Sequence, residues 1–176
     1  PIVQTDNNTF YLNHDFYKKS NSTGWVFADY RNDLTNSANL NDNTIIYGHN
    51  MTSGSMFGNL KRYKSKSYYQ EHKYFYVYTR KTGIDPITGE KTDEKLKYEI
   101  KNVCVVNPVS KIYTIQFGDL NAKEEWLNSF HGLFGNELDL DKTICTLSTC
   151  TNLSRQRLCV QGSLISRKNF DNVEEK

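Results

Sequence analysis

Apolar residues in this chain recur mostly at every second position, and only once at helical spacing over any length. Period two belongs to strands with one face buried. The run 74–80 (YFYVYTR) alternates in this way, and so does 96–100 (LKYEI). Residues 24–30 (GWVFADY) and 44–48 (TIIYG) read as further strands, as do 143–149 and 158–166. Val103-Cys104-Val105-Val106 is apolar on both faces and must be covered on both sides. Residues 81–95, with Asp85-Pro86 and Thr88-Gly89, read as an exposed hairpin excursion. The expected fold class is mostly β, with about seven or eight strands in a closed or nearly closed barrel.

Helical signal is confined to two places. Residues 122–134 carry Trp126, Leu127, Phe130 and Phe134 on one stripe, with Asn121 as cap, Glu124 completing a capping box and Gly135 as stop. Residues 56–71 read as a pair of short helical turns. No repeat or linker divides the chain, so 1–176 is expected to be one domain, with a polar flexible tail at 168–176. It opens on Pro1-Ile2-Val3-Gln4, which reads as the middle of a strand. The expectation is a fragment from which a targeting or anchor segment is missing.

Composition excludes several function classes. With 22 basic and 20 acidic residues the net charge is +2, which gives no electrostatic footprint for nucleic acid. No apolar run approaches the roughly 20 residues that cross a bilayer. Aromatics reach 13%, too rich for a disordered chain. The four cysteines (104, 145, 150 and 159) show no zinc-like spacing. Three of them sit inside apolar runs and read as small buried hydrophobes. By parity Cys145 and Cys159 fall on opposite sheet faces, so no disulfide joins them. No metal site and no cofactor is implied.

Cys150 differs from its siblings. It stands where an apolar strand gives way to the polar loop 151–156, so its side chain can face a groove from a rigid backbone. A cysteine nucleophile needs that exposure and a nearby base or positive charge. His49 also stands at a strand end, and Arg157 opens the last strand. If the strands flanking 151–156 pair antiparallel, Cys150 and Arg157 reach the same edge. Arg155 shares that parity but lies within the turn and ranks second. Thiol, imidazole and guanidinium would serve as nucleophile, proton shuttle and oxyanion donor. Each also has a plain structural reading: a strand-end Cys, a surface His after Gly, a solvated Arg. His14, His72 and His131 lie in polar or helical contexts and are set aside.

The words of the sequence add to this. Thr146-Leu147-Ser148-Thr149-Cys150 is similar to the TLxTC signature of sortases, and Ile45-Ile46-Tyr47-Gly48-His49-Asn50-Met51 resembles the segment holding the sortase histidine. Ser55-Met56-Phe57-Gly58-Asn59-Leu60 and Phe27-Ala28-Asp29-Tyr30-Arg31-Asn32 resemble class B sortases in particular. The resemblance spans nearly the whole chain and keeps the order His, Cys, Arg. It implies a sortase-type β-barrel, with the helix near 122–134 in the loop before the cysteine strand. It implies Cys150 as nucleophile, His49 as general acid/base and Arg157 as oxyanion and substrate donor, helped by a backbone N–H near Thr151. Tyr47, Ser148, Thr151, Asn8 and Leu12 are the substrate-binding residues it suggests.

What the resemblance implies for activity is a cysteine transpeptidase of the hydrolase and acyltransferase type. It would cleave an NPxTG-like C-terminal sorting motif after Thr, through a thioacyl enzyme, and pass the protein to an amine of the cell wall. The partners would be surface proteins carrying that signal and peptidoglycan or another amine acceptor. The location would be the extracellular face of the membrane of a Gram-positive cell, held by an N-terminal anchor outside this chain. Two other classes compete. A papain-like or NlpC-type peptidase places Cys before His and near a helix start, unlike this order. A non-catalytic β-rich adhesion module would carry an unreactive Cys150.

Overall fold

The computed structural model describes residues 1–84, 87–151 and 155–169, without the side chains of Ala38 and Lys81. The part of the expected 168–176 tail from 170 onward, Asp85-Pro86 of the hairpin and half of the loop 151–156 (152–154) lie outside the described residues. Six strands form one sheet: β1 (Phe27–Ala28), β2 (Asn43–Tyr47), β3 (Tyr74–Ile84), β4 (Lys91–Val106), β5 (Ile144–Cys150) and β6 (Arg157–Asn169). Their order is β1-β2-β5-β6-β4-β3, with β2 and β5 parallel and every other pair antiparallel. The sheet curls into a half-barrel.

The strand count among the described residues is six, not seven or eight. The segments 96–100 and 103–106 are one strand, because a bulge between Ile100 and Asn102 carries the ladder through. The extra residue also corrects parity, so that Ile100 and Val103 enter the same apolar cluster. The excursion at 81–95 stays paired through Gly83↔Thr92 and Ile84↔Lys91, so it is a long hairpin arm. Among the described residues, no helix is long and apolar enough to cross a membrane.

Both faces of the central strands are covered, as the doubly apolar 103–106 run requires. On one face Val103, Leu158 and Val160 pack with Leu60 and Tyr69. These last two come from a 3₁₀ turn at Gly58–Lys64 and from α1 (Lys66–Glu71), the pair of turns read at 56–71. On the opposite face Cys104, Ile144 and Cys159 pack with Ile112, Trp126 and Phe130. Trp126 belongs to α2 (Leu120–Asn128), which starts earlier and ends sooner than the expected 122–134. Its cap is Asp119, whose carboxylate accepts from the Ala122 N–H at 2.8 Å, instead of Asn121. The carboxylate also suits the positive end of the helix dipole. At the other end the Ser129 hydroxyl donates to the Trp126 carbonyl at 2.7 Å. Phe134 therefore lies beyond the helix and packs with Tyr69 on the far face.

One polar chain crosses the buried sheet on the α2 face. Asn102 donates to Gln161 at 2.7 Å, Gln161 to Thr146 at 2.9 Å, and Thr146 to Asn43 at 2.7 Å. Asn43 then donates to the carbonyls of Ile112 and Thr114 at 3.0 and 2.9 Å. Burying polar groups is costly unless they are hydrogen-bonded. These bonds tie four strands to the segment 112–114, whose Tyr113 lines the groove described next.

Candidate active site

The groove grows from two parallel strand exits. Tyr47 of β2 sits beside Ser148 of β5 in the parallel register. The pairing continues as the Gly48 N–H donates to the Ser148 carbonyl at 3.1 Å and the Thr149 hydroxyl to the Gly48 carbonyl at 2.7 Å. One residue further on each strand come His49 and Cys150. Gly48 is required there, because a Cβ would stand 2.7 Å from the Phe57 ring. Arg157 arrives from β6 as the direct ladder partner of Cys150.

Cys150, His49 and Arg157 line one cavity of about 350 Å³. All three are half-buried, whereas Arg155 is exposed and off the cavity wall. The two arginines share parity, and what separates them is that Arg157 opens β6 whereas Arg155 lies in the preceding turn. Asn8, Leu12, Tyr47 and Ser148 share the cavity, but Thr151 does not. Its side chain lies on the other side of Cys150, in a neighbouring cavity. Its backbone N–H is already donated to the Gln156 carbonyl at 3.2 Å.

His49 is held from the N-terminal segment. Its Nε2 lies 2.8 Å from the Leu12 carbonyl oxygen. A carbonyl only accepts, so Nε2 carries the hydrogen, and Nδ1 is the nitrogen left to exchange a proton. Leu12 thus meets the site through its backbone as well as its side chain.

Sequence reading missed the group under the groove. Asp29 is fully buried and accepts two bonds from the Arg31 side chain, at 2.8 Å each, in a forked pair. The Tyr47 hydroxyl donates to it at 2.8 Å and the Asn8 amide at 2.9 Å. Asn8 also accepts from the Tyr30 N–H at 3.0 Å, so its side chain is engaged at both ends. Burial pushes the Asp29 carboxyl up, but the bonds from Arg31, Tyr47 and Asn8 outweigh it and hold it below the usual carboxylate range. Burial, with the Asp29 charge, drives the Tyr47 phenol far above its ordinary value, so it stays a neutral donor. Arg31 also reaches the Tyr113 carbonyl at 3.1 Å, and the Tyr113 hydroxyl lies 3.0 Å from that of Ser148. Arg31 and Tyr113 both line the cavity. The motif at 27–32 carried Arg31 in plain view, but only the β1–β2 pairing reveals what it touches.

The arrangement can attack an electrophile with sulfur, move a proton at one imidazole nitrogen and donate hydrogen bonds from a fixed guanidinium. Among the described residues, no group of three or more His, Cys, Asp or Glu could hold a metal ion.

A half-barrel that gathers thiol, imidazole and guanidinium at adjoining strand ends defines a class of cysteine-bearing β proteins. A family model described as the sortase domain matches residues 13–165. The chain belongs to the sortase family. It is 30% identical over 176 residues to sortase B of Listeria monocytogenes, covering 95% of this chain and 65% of that one. It thus spans just under two thirds of that relative's length. Among solved structures, a mutant form of Clostridium perfringens sortase B superposes with a TM-score of 0.77 at 27% identity, covering 94% of this chain and 75% of that one. A Staphylococcus aureus sortase B–substrate complex gives a TM-score of 0.74 at 25% identity, covering 94% and 73%. Class B is the branch these relatives share, as the motifs at 27–32 and 55–60 implied.

Proposed function

We propose that this chain is a cysteine transpeptidase acting on sorting signals at the cell surface. One observation carries the reading: Arg157 faces Cys150 across the β5–β6 ladder while both share a groove with His49. The Cys150 sulfur attacks the carbonyl carbon after Thr of an NPxTG-like motif. Arg157 donates to the oxyanion; losing one such donor typically costs about 10²–10³ in rate. His49, protonated at Nδ1, gives that proton to the leaving amine as the C–N bond breaks. A thioester to Cys150 remains.

An amine of peptidoglycan or a related wall acceptor then attacks the thioester carbonyl. The C–S bond breaks, a new amide forms, and the amine's proton returns to His49. The substrate complex solved for the Staphylococcus aureus sortase B supports a peptide sorting signal as donor. The Tyr47 and Tyr113 hydroxyls are already engaged with Asp29 and Ser148, which makes the groove floor rigid and preorganised. The site of action is the extracellular face of a Gram-positive cell membrane.

The test is mass spectrometry of the intact chain with a synthetic peptide containing Asn-Pro-X-Thr-Gly. The expected result is an adduct equal to the peptide portion ending at Thr, located on Cys150 and absent in Cys150→Ala. An adduct elsewhere, or unchanged peptide cleavage by Cys150→Ala, overturns the reading.

A further inference from the structure

Cys150 borders two cavities, not one. Besides the groove with His49 and Arg157, it lines a separate cavity of about 160 Å³ together with Asn50, Lys61, Lys64, Thr151 and Gln156. The residues lining this second cavity include two lysines and no carboxylate. We infer that this second cavity receives the attacking amine and selects an acceptor that carries a carboxylate close to its amino group. The inference rests on the transpeptidase reading and names the acceptor class for it.

Local structure explains the placement of the lysines. Lys61 and Lys64 are the fourth and last residues of the 3₁₀ turn Gly58–Lys64. At three residues per turn, positions three apart stack on one face. Between them and the chemistry the backbone is short and tied down. The Phe57 N–H donates to the His49 carbonyl at 3.0 Å, and the Leu60 N–H to the Phe57 carbonyl at 3.0 Å. Leu60 itself is in the core. The backbone that carries both lysines is therefore held relative to the strand end that bears His49, while their exposed side chains reach the cavity from it.

Reaction geometry supplies the second half of the argument. Once the peptide is esterified to sulfur, its acyl chain fills the side from which it entered, the groove with Arg157. The second reactant must approach the thioester carbonyl from elsewhere, and the other cavity reaches the same sulfur. Two positive charges there act on an incoming amino acid or peptide in two ways. They attract a carboxylate, and they disfavour the ammonium form, so more of the amine arrives neutral and nucleophilic. In the transfer the neutral nitrogen bonds to the carbonyl carbon, sulfur leaves as the Cys150 thiolate, and the extra proton passes to His49.

The experiment compares glycylglycine with glycylglycinamide as acceptors, which differ in one carboxylate. Transfer product and acyl-enzyme are both followed by mass spectrometry at low ionic strength. The unaltered chain should show an apparent KM about 3- to 10-fold lower for glycylglycine, the size two exposed ion pairs supply. High salt should shrink the ratio. In the double variant Lys61→Glu/Lys64→Glu the order should reverse. Equal KM values in the unaltered chain overturn the inference, as does a ratio preserved in the double variant. Failure to acylate Cys150 in the unaltered chain, seen before any acceptor is added, overturns the transpeptidase reading and this inference together. Acylation without charge discrimination overturns this inference alone.

Discussion

Gly24 and His49 are in contact across 25 residues of sequence. A Cβ on Gly24 would stand 2.9 Å from Cδ2 of the imidazole, 2.8 Å from the Leu12 carbonyl oxygen and 2.4 Å from that of Tyr11. The glycine also has φ +58, a left-handed conformation that side chains resist. The same few ångströms thus hold the histidine and the carbonyl that orients it.

Gly24→Ala should therefore displace the Leu12 carbonyl and release the His49 ring. The expected cost in stability is about 1–3 kcal/mol from backbone strain. Peptide cleavage should fall by about 10²-fold, the effect of an ångström-scale misplacement. Urea unfolding measures the first and a fluorogenic sorting peptide the second. Full activity in a stably folded Gly24→Ala chain would show that this contact does not position the imidazole.

Arginine identity is the next test. Arg157 pairs with Cys150 in the ladder and lines the groove, whereas Arg155 is exposed. Arg157→Ala should lower kcat/KM by about 10²–10³, and Arg157→Lys should recover little, because a point ammonium lacks the planar fork. Arg155→Ala should stay within about twofold of the parent. Loss on the Arg155 variant alone would mean that the register across the 151–156 turn changes when substrate binds.

Much of this site was legible in the sequence, for identifiable reasons. Cys150 and His49 each stand where an apolar run ends, and strand ends are visible as changes in local composition. Choosing Arg157 over Arg155, which shares its parity, needed only the recognition that residue 155 lies within the turn and residue 157 opens the strand. Asp29 was not legible, because its partners Arg31, Tyr47 and Asn8 meet only after β1 pairs with β2 and residues 1–12 wrap across. The Leu12 carbonyl was invisible for a simpler reason: a backbone acceptor has no sequence signature. The helix at 120–128 was displaced because Asp119 and Asn121 are both good caps, and only packing of Trp126 and Phe130 on Ile112 and Cys159 decides between them. The six-strand count follows from a bulge, which no periodicity within a single segment shows.

Asp29 makes the fold sensitive to acid. Its folded pKa is below the ordinary carboxylate value, so its contribution is present above the unfolded pKa of about 4 and is lost as pH falls through the lower folded value. The native chain should lose stability below about pH 4 with one more proton taken up on unfolding of the balance than in Asp29→Asn; that is, stability in the variant should fall less steeply there. At pH 7 the same variant should be less stable by about 1–3 kcal/mol, since the charge-assisted bonds are weakened. Urea midpoints between pH 7 and 3 check both statements. Parallel curves for the two chains would mean that Asp29 does not titrate between these states.

The four thiols should separate cleanly under alkylation. Cys104, Cys145 and Cys159 are fully buried, and Cys150 alone is half-exposed at a cavity wall. Burial pushes the Cys145 thiol far up, and for Cys104 the hydrogen bond with Cys159, reinforced by burial, does the same. A thiol reacts as its thiolate and only when reached, so iodoacetamide should label Cys150 first and stop at one adduct per native chain. In urea all four should react, because Cys145 and Cys159 lie in separate clusters on opposite faces of the sheet and are not joined to one another. Peptide mapping of the single adduct assigns it. A native chain that resists labelling at residue 150 for as long as at the other three would favour the non-catalytic β-rich module, since an acyl acceptor that no small electrophile reaches cannot meet a peptide carbonyl.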